Sequence, residues 1–339
     1  MAFLRNSWYM AAWSSEITKE TLVARTILTE PIVFFRDESG MAQALQDRCP
    51  HRFAPLGKGK LVAGKLQCPY HGLEFDGKGH CVHNPHGDGG IPKAARVKSY
   101  PVHERDMIVW VWMGDADRAD TSCLPDFSFL VNAKPTARNT GYLPTRANYQ
   151  LLCDNIMDLS HADYLHASSL GGGSITRSTA EVTEDGNTVK IIWRVNDDVV
   201  PPAFAREMPD PTARANQWTQ VVWSPPCALR LSIGVELPDG GMLHPEGLHI
   251  MTPETEATTH YFYANTRNFQ ADNAEYNHIV DQLIINAFSN EDKPMIEAQQ
   301  NRMGTTDLFA LNPVLLSIDA GAVRVRRKLD LLIKLENSP

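Results

Sequence analysis

The first third of the chain carries its apolar residues in short runs separated by turn-forming residues, with no helical period. Residues 23–28 and 32–35 are rich in β-branched and aromatic side chains, and Asp37-Glu38-Ser39-Gly40 then turns the chain toward a third run at 41–45. Residues 65–67, 97–100 and 107–112 continue the pattern, and residues 75–80 read as another hairpin turn. Strand formers interrupted this often by Gly and Asp predict a small antiparallel all-β domain, a barrel or a sandwich.

Beyond residues 114–125, a linker rich in Asp and small residues, the pattern changes. Helical segments are predicted over 147–168, 272–303 and 319–335, with strands near 189–193, 218–223, 228–233 and 260–263. Turns at 184–187 and 238–241 join neighbouring strands. Strands flanked by helices give an α+β domain with one antiparallel sheet. The expected division is 1–115 and 116–339, each long enough for its own core.

Composition narrows the class. A net charge of −8 without a basic run excludes nucleic acid as a partner, because phosphates call for a clustered positive face. No apolar run has the length of a membrane span and the start lacks a signal-peptide profile, so a cytoplasmic protein with no membrane association is expected. Six cysteines in 339 residues do not make a disulfide framework.

Two of those cysteines sit in a pattern with its own chemistry. Cys49-Pro50-His51-Arg52 and Cys68-Pro69-Tyr70-His71-Gly72 each pair one thiolate with one imidazole, the donors that borderline and soft metals bind. A structural zinc ribbon is the competing reading, but zinc sites usually group like with like. One Cys and one His per half suits a two-iron cluster with the cysteines on one iron and the histidines on the other. Cys81, Cys123, Cys153 and Cys227 are then reduced structural residues, and His80, His83 and His86 solvated loop histidines. Tyr70 and the loop amides are expected to hydrogen-bond the cluster sulfurs.

A second constellation lies in Asp154-Asn155-Ile156-Met157-Asp158-Leu159-Ser160-His161-Ala162-Asp163-Tyr164-Leu165-His166. Two histidines with carboxylates nearby propose a mononuclear iron site of two histidines and one carboxylate, which leaves positions open for oxygen. On a regular α-helix His161 and His166 point about 140° apart, so a break or π-bulge is expected between them.

Both motifs resemble those of Rieske non-haem iron aromatic oxygenases, and His71-Gly72-Leu73-Glu74 is similar to the branch that contains vanillate and dicamba O-demethylases. The resemblance implies a Rieske 2Fe-2S cluster on Cys49, His51, Cys68 and His71, and Fe(II) on His161, His166 and a late-helix aspartate matched by Asp292. Glu291, next to it, would point about 100° away. Asp158 matches the family's bridging aspartate, with Asn155 on the same side of the helix. The resemblance further implies a homotrimer in which Asp158 links His71 of one chain to His161 of the next. Near the pocket, His249 matches a histidine that holds a substrate carboxylate, while its asparagine and tryptophan companions become Leu231 and Leu283. Arg230, beside Leu231 on a strand, faces the other way.

The expected function is the terminal oxygenase of a system that O-demethylates a methoxylated aromatic acid with O₂. Its electrons would come from NADH through a separate flavin reductase or ferredoxin. No dinucleotide fingerprint occurs in the chain, so NADH acts only indirectly. Ring hydroxylation, methyl hydroxylation or N-demethylation of another aromatic compound would use the same ligands.

Overall fold

The computed structural model describes residues 3–167, 171, 173–208, 210 and 212–338, so residue 168 of the first predicted helix lies outside them. The chain forms two compact units, Met1–Leu124 and Pro125–Pro339. The division falls later than residue 115 because the expected linker is folded. Asp115 and Asp120 cap two 3₁₀ turns, Ala116–Arg118 and Thr121–Cys123. Trp8 Nε1 donates to Asp120 O at 2.9 Å and Arg105 to Leu124 O at 2.8 Å, tying this stretch to the first unit.

The first unit consists of three small antiparallel sheets. Trp8–Trp13 pairs with Ile108–Trp112, which pairs with Val102–Arg105. The Trp8–Trp13 strand escapes the sequence pattern because all six residues are buried, so no alternation marks it. A second sheet orders Val23–Ile27, Glu30–Arg36, Ala42–Gln46 and Ser99–Tyr100. The third, Lys60–Val62, Lys65–Gln67, Glu74–Phe75 and Cys81–His83, carries the second Cys-His loop between its middle strands. Cys49 and Cys68 lie in one apolar cluster with Phe35, Leu45, Leu66 and Phe75.

The second unit is built on an eight-stranded, wholly antiparallel sheet. Its order runs Arg138–Thr145, Thr259–Thr266, Glu246–Pro253, Ala228–Glu236, Arg214–Ser224, Thr188–Val199 and Thr179–Asp185, with the short Met242–Leu243 paired to Ala228–Glu236. Half of these strands are absent from the sequence pattern. Arg138–Thr145 contains Gly141 and Pro144, which read as breakers, yet it is an edge strand, where proline costs no ladder bond. Helix Tyr149–Met157 packs on Glu246–Pro253 and on the C-terminal helix Ala320–Glu336. Arg326 clamps the two helices, bonding both carboxylate oxygens of Asp154 at 2.6–3.0 Å and Gln150 Oε1 at 3.0 Å. No helix among the described residues is long and apolar enough to cross a membrane.

Candidate metal centres and substrate cavity

The two Cys-His loops are copies of one backbone design. Cys49 N donates to Ala54 O at 2.9 Å, and Phe53 N donates back to Cys49 O at 2.9 Å. In the second loop Cys68 N donates to Leu73 O at 2.8 Å and Gly72 N to Cys68 O at 3.1 Å. The fourth residue after each cysteine takes positive φ, Phe53 at +59° and Gly72 at +74°. Each loop therefore curls back on its own cysteine and presents its histidine outward.

Cys49 and Cys68 are 1% and 2% exposed, while the rings of His51 and His71 stand 4.6 Å apart at the surface side. Burial, reinforced by the neighbouring Cys68, pushes the Cys49 thiol up to about 11. A cationic centre between the two sulfurs reverses that balance, since metal coordination deprotonates a thiol. Two sulfurs inside and two imidazoles outside fit a two-iron cluster with cysteine on one iron and histidine on the other. Tyr70 is 63% exposed and packs its ring against His71 at 4.0 Å. His86 is exposed, and its Nε2 lies 2.8 Å from His71 O. Cys81, Cys153 and Cys227 are buried free thiols, whereas Cys123 is exposed in its 3₁₀ turn.

The second site joins distant elements. Helix Tyr149–Met157 ends at Asp158, whose extended backbone (φ −131°, ψ 94°) starts a 3₁₀ turn, Leu159–His161, that continues into Ala162–Leu165. The break thus precedes His161, and no π-bulge separates the histidines. Convergence comes instead from irregular ends: His161 closes a 3₁₀ turn and His166 has left the helix (φ −104°, ψ 26°), so the regular 100° step does not apply. The π-helix occurs on the partner element, Ala287–Asp292, between Ala274–Asn286 and Lys293–Met303.

That wider turn changes the role of Glu291. It turns toward the histidines along with its neighbour, placing Oε2 2.5 Å from His166 Nδ1 while Asp292 stands 3.2 Å from Nε2. His161 Nε2 lies 3.5 Å from Asp292 Oδ1, and its Nδ1 bonds Asp158 O at 2.6 Å. The main-chain carbonyl of Asp158 therefore orients His161, while its carboxylate caps Ser160 N at 2.9 Å. Asn155 Nδ2 donates to Asp292 Oδ1 at 3.2 Å. Burial disfavours the His166 cation, but Asp292 and Glu291 outweigh it and raise the His166 pKa.

Ligand atoms of His161, His166 and Asp292 all lie within 4.8 Å of one another. Neighbouring donors at right angles on bonds near 2.1 Å stand about 3 Å apart. The 3.2 and 3.5 Å separations from Asp292 fit that requirement, with one charge and two neutral nitrogens.

All three residues open onto a cavity of about 730 Å³, which also holds His249, Leu231 and Leu283. His249 is buried and its Nδ1 lies 2.7 Å from the Tyr261 hydroxyl. Arg230 points to the other face of the sheet, bonding Glu246 Oε1 at 2.9 Å.

Comparison with known proteins matches residues 7–101 to the Rieske 2Fe-2S domain and residues 145–335 to the vanillate O-demethylase oxygenase C-terminal domain. The chain belongs to the Rieske oxygenases. It is 40% identical to the oxygenase component of dicamba O-demethylase from Stenotrophomonas maltophilia, over 99% of both chains. It is 36% identical to the oxygenase component of chloroacetanilide N-alkylformylase from Rhizorhabdus wittichii, over 99% of this chain and 97% of that one. A crystal structure of dicamba monooxygenase bound to 3,6-dichlorosalicylic acid superposes with a TM-score of 0.92 at 39% identity, covering 99% of each chain. This Rieske oxygenase is the terminal oxygenase component of a monooxygenase system and carries a 2Fe-2S cluster and a mononuclear iron.

Proposed function

We propose that the chain oxidatively O-demethylates a methoxylated aromatic acid. Cys49, His51, Cys68 and His71 hold the cluster, and His161, His166 and Asp292 hold the iron. The reading rests on one observation: the three iron donors and His249 line the same largely apolar cavity. When bound, the cluster would pass on electrons from an external reductant and the iron would activate oxygen. The balanced reaction takes ArOCH₃, O₂, two electrons and two protons to ArOH, formaldehyde and water.

The chain's own residues position and shield. Glu291 accepts from His166 Nδ1 and the Asp158 carbonyl from His161 Nδ1, so each imidazole turns Nε2 toward Asp292. Asn155 steadies the Asp292 carboxylate from the side. Ile156, Leu159, Leu231, Leu283 and Phe288 wall the space and exclude water, while Leu231 and Leu283 set the shape of the ring pocket. His249 Nε2 donates to the acid group.

Electrons enter at the exposed His51 and half-exposed His71. We assign the working unit as a cytoplasmic homotrimer in which the Asp158 carboxylate accepts from His71 of the neighbouring protomer, while the main-chain carbonyl of the same residue holds His161 Nδ1. Among the described residues that carboxylate caps Ser160 N at 2.9 Å, and its remaining lone pairs give it acceptor capacity for such a bond.

Turnover of a methoxybenzoate panel with NADH and a surrogate flavin reductase tests the reaction. Formaldehyde equal to the phenol formed, and dependent on O₂, is expected; its absence from every member rejects O-demethylation. The N-alkylformylase relative favours a second reading, N-dealkylation, which the same assay with N-alkyl anilides detects.

A further inference from the structure

Three buried nitrogens on the cavity wall have no hydrogen-bond partner: His249 Nε2, Asn265 Nδ2 and Arg267 Nε. Leaving one buried donor unpaired costs on the order of 1–3 kcal/mol. Three around one space call for a ligand that accepts.

The sheet register explains how two of them meet. Gly247 pairs with Leu231 on one side and with Asn265 on the other, and His249 lies two residues along the same strand face. A Cβ on Gly247 would stand 3.1 Å from His249 Nε2, 3.4 Å from Leu231 Cβ and 3.5 Å from Asn265 Oδ1. The missing side chain leaves a notch walled by His249 Nε2 and the Asn265 amide, with Leu231 beside it; the amide's Oδ1 lies nearest Gly247, and its unpaired Nδ2 is the arm that donates to a ligand lying further into the cavity.

The chemistry of the notch follows from its second shell. The Tyr261 hydroxyl lies 2.7 Å from His249 Nδ1; the tautomer in which it donates there puts the imidazole proton on Nε2, where it can donate into the notch. Arg267 is 7% exposed, and its terminal nitrogens bond only neutral oxygens, Asn277 Oδ1 at 2.6 Å and Thr136 O at 2.7 Å at the shortest. With neutral oxygens on its terminal nitrogens and Glu207 acting on it without a hydrogen bond, the guanidinium also lends positive charge to the cavity wall.

We propose that Asn265 is a second substrate anchor, donating with His249 into the notch above Gly247 to the two oxygens of an aromatic carboxylate. This rests on the assignment of the cavity as the substrate site. Asn265 is then a specificity residue: it selects the acid over its uncharged ester, and Arg267 balances the charge.

Calorimetric titration of the holoprotein without reductant, using the three methoxybenzoates and their methyl esters, tests the anchor. At least one acid should bind at least about tenfold tighter than its ester, the worth of a charge-assisted bond. Asn265→Asp keeps the shape but places an anion in the notch, and it should abolish or invert that preference. Gly247→Ala, which fills the notch, should weaken acid binding and spare the ester; it carries the test if the aspartate variant loses its metals. Equal affinity for acid and ester in the wild type, or an unchanged preference in both variants, overturns the anchor. The reaction fails separately: acid preference without formaldehyde release rejects O-demethylation and keeps the anchor, whereas formaldehyde with equal KM for acid and ester does the reverse.

Discussion

Residues 49–71 supply every proposed donor of the cluster, whereas the iron site joins His161 and His166 to Asp292, 126 positions beyond His166. The cluster loops repeat one hydrogen-bonded curl and need only a hairpin to face each other. The iron site needs a 3₁₀ turn on one element and a π-helix on another, with a direct contact such as Asn155 to Asp292 to fix their distance. A site made locally can be read from spacing. A site made by packing depends on departures from regular geometry that spacing does not encode.

The strongest way to break this contrast is to remove one donor from each site. Asp292→Ala should abolish turnover and lower iron from about three to about two per chain, with the cluster's electron paramagnetic resonance signal retained. Cys68→Ser should do the converse, losing the cluster signal and keeping the mononuclear iron. Metal analysis that finds three irons in Asp292→Ala would move the third ligand elsewhere.

A smaller effect is expected where the groups act through a ligand. Glu291→Gln leaves His166 without its anionic acceptor, and iron affinity or turnover should fall about 10–100-fold. Asp158→Asn preserves the main-chain bond to His161, so both metal centres should load normally. Its turnover should nonetheless fall by a similar factor if the carboxylate links protomers. Normal turnover in that variant would reject the link.

These cases show what was legible. His161, His166 and Asp292 come together as the sequence expects, the His51 and His71 rings lie side by side with Cys49 next to Cys68, and the helical segments lie close to the predicted ranges. A regular helix would turn Glu291 away from the histidines; the π-helix turns it in. The sequence predicts a break or a π-bulge between the histidines; the helix does break, but before His161, and the π-helix lies on the element that carries Asp292. Asn265 left no mark in the sequence, because its role depends on standing opposite a glycine across a ladder whose register no local pattern shows.

A pH experiment sharpens the contrast from the cavity side. Burial lowers His249 from 6.5 to about 4. Below pH 6.5 the unfolded chain binds a proton that the folded ring refuses until about pH 4, so this residue costs stability as pH falls through that window. His249→Phe should therefore lose about 2 kcal/mol less between pH 7 and pH 5 than the wild type, measured by calorimetric unfolding at both values.

The smallest effect belongs to the cluster unit. Ala63 and Gly64 hold φ of +47° and +71° in the turn between Lys60–Val62 and Lys65–Gln67, where Asn-Gly is preferred. Ala63→Asn should stabilise this unit by about 0.5 kcal/mol, a gain visible in its melting temperature, and leave the reduction potential unchanged.

The π-turn at Ala287–Asp292 also behaves as a removable insertion. Deleting a single codon within residues 287–290 would let the flanking segments close into one continuous α-helix, and the residues beyond would rotate by about 100° and move about 1.5 Å along the axis. Helix and sheet would survive that edit. Asp292 would face another direction, and metal analysis would return only the cluster's iron. In this lineage the distance between an oxygenase and an inert redox scaffold is three nucleotides.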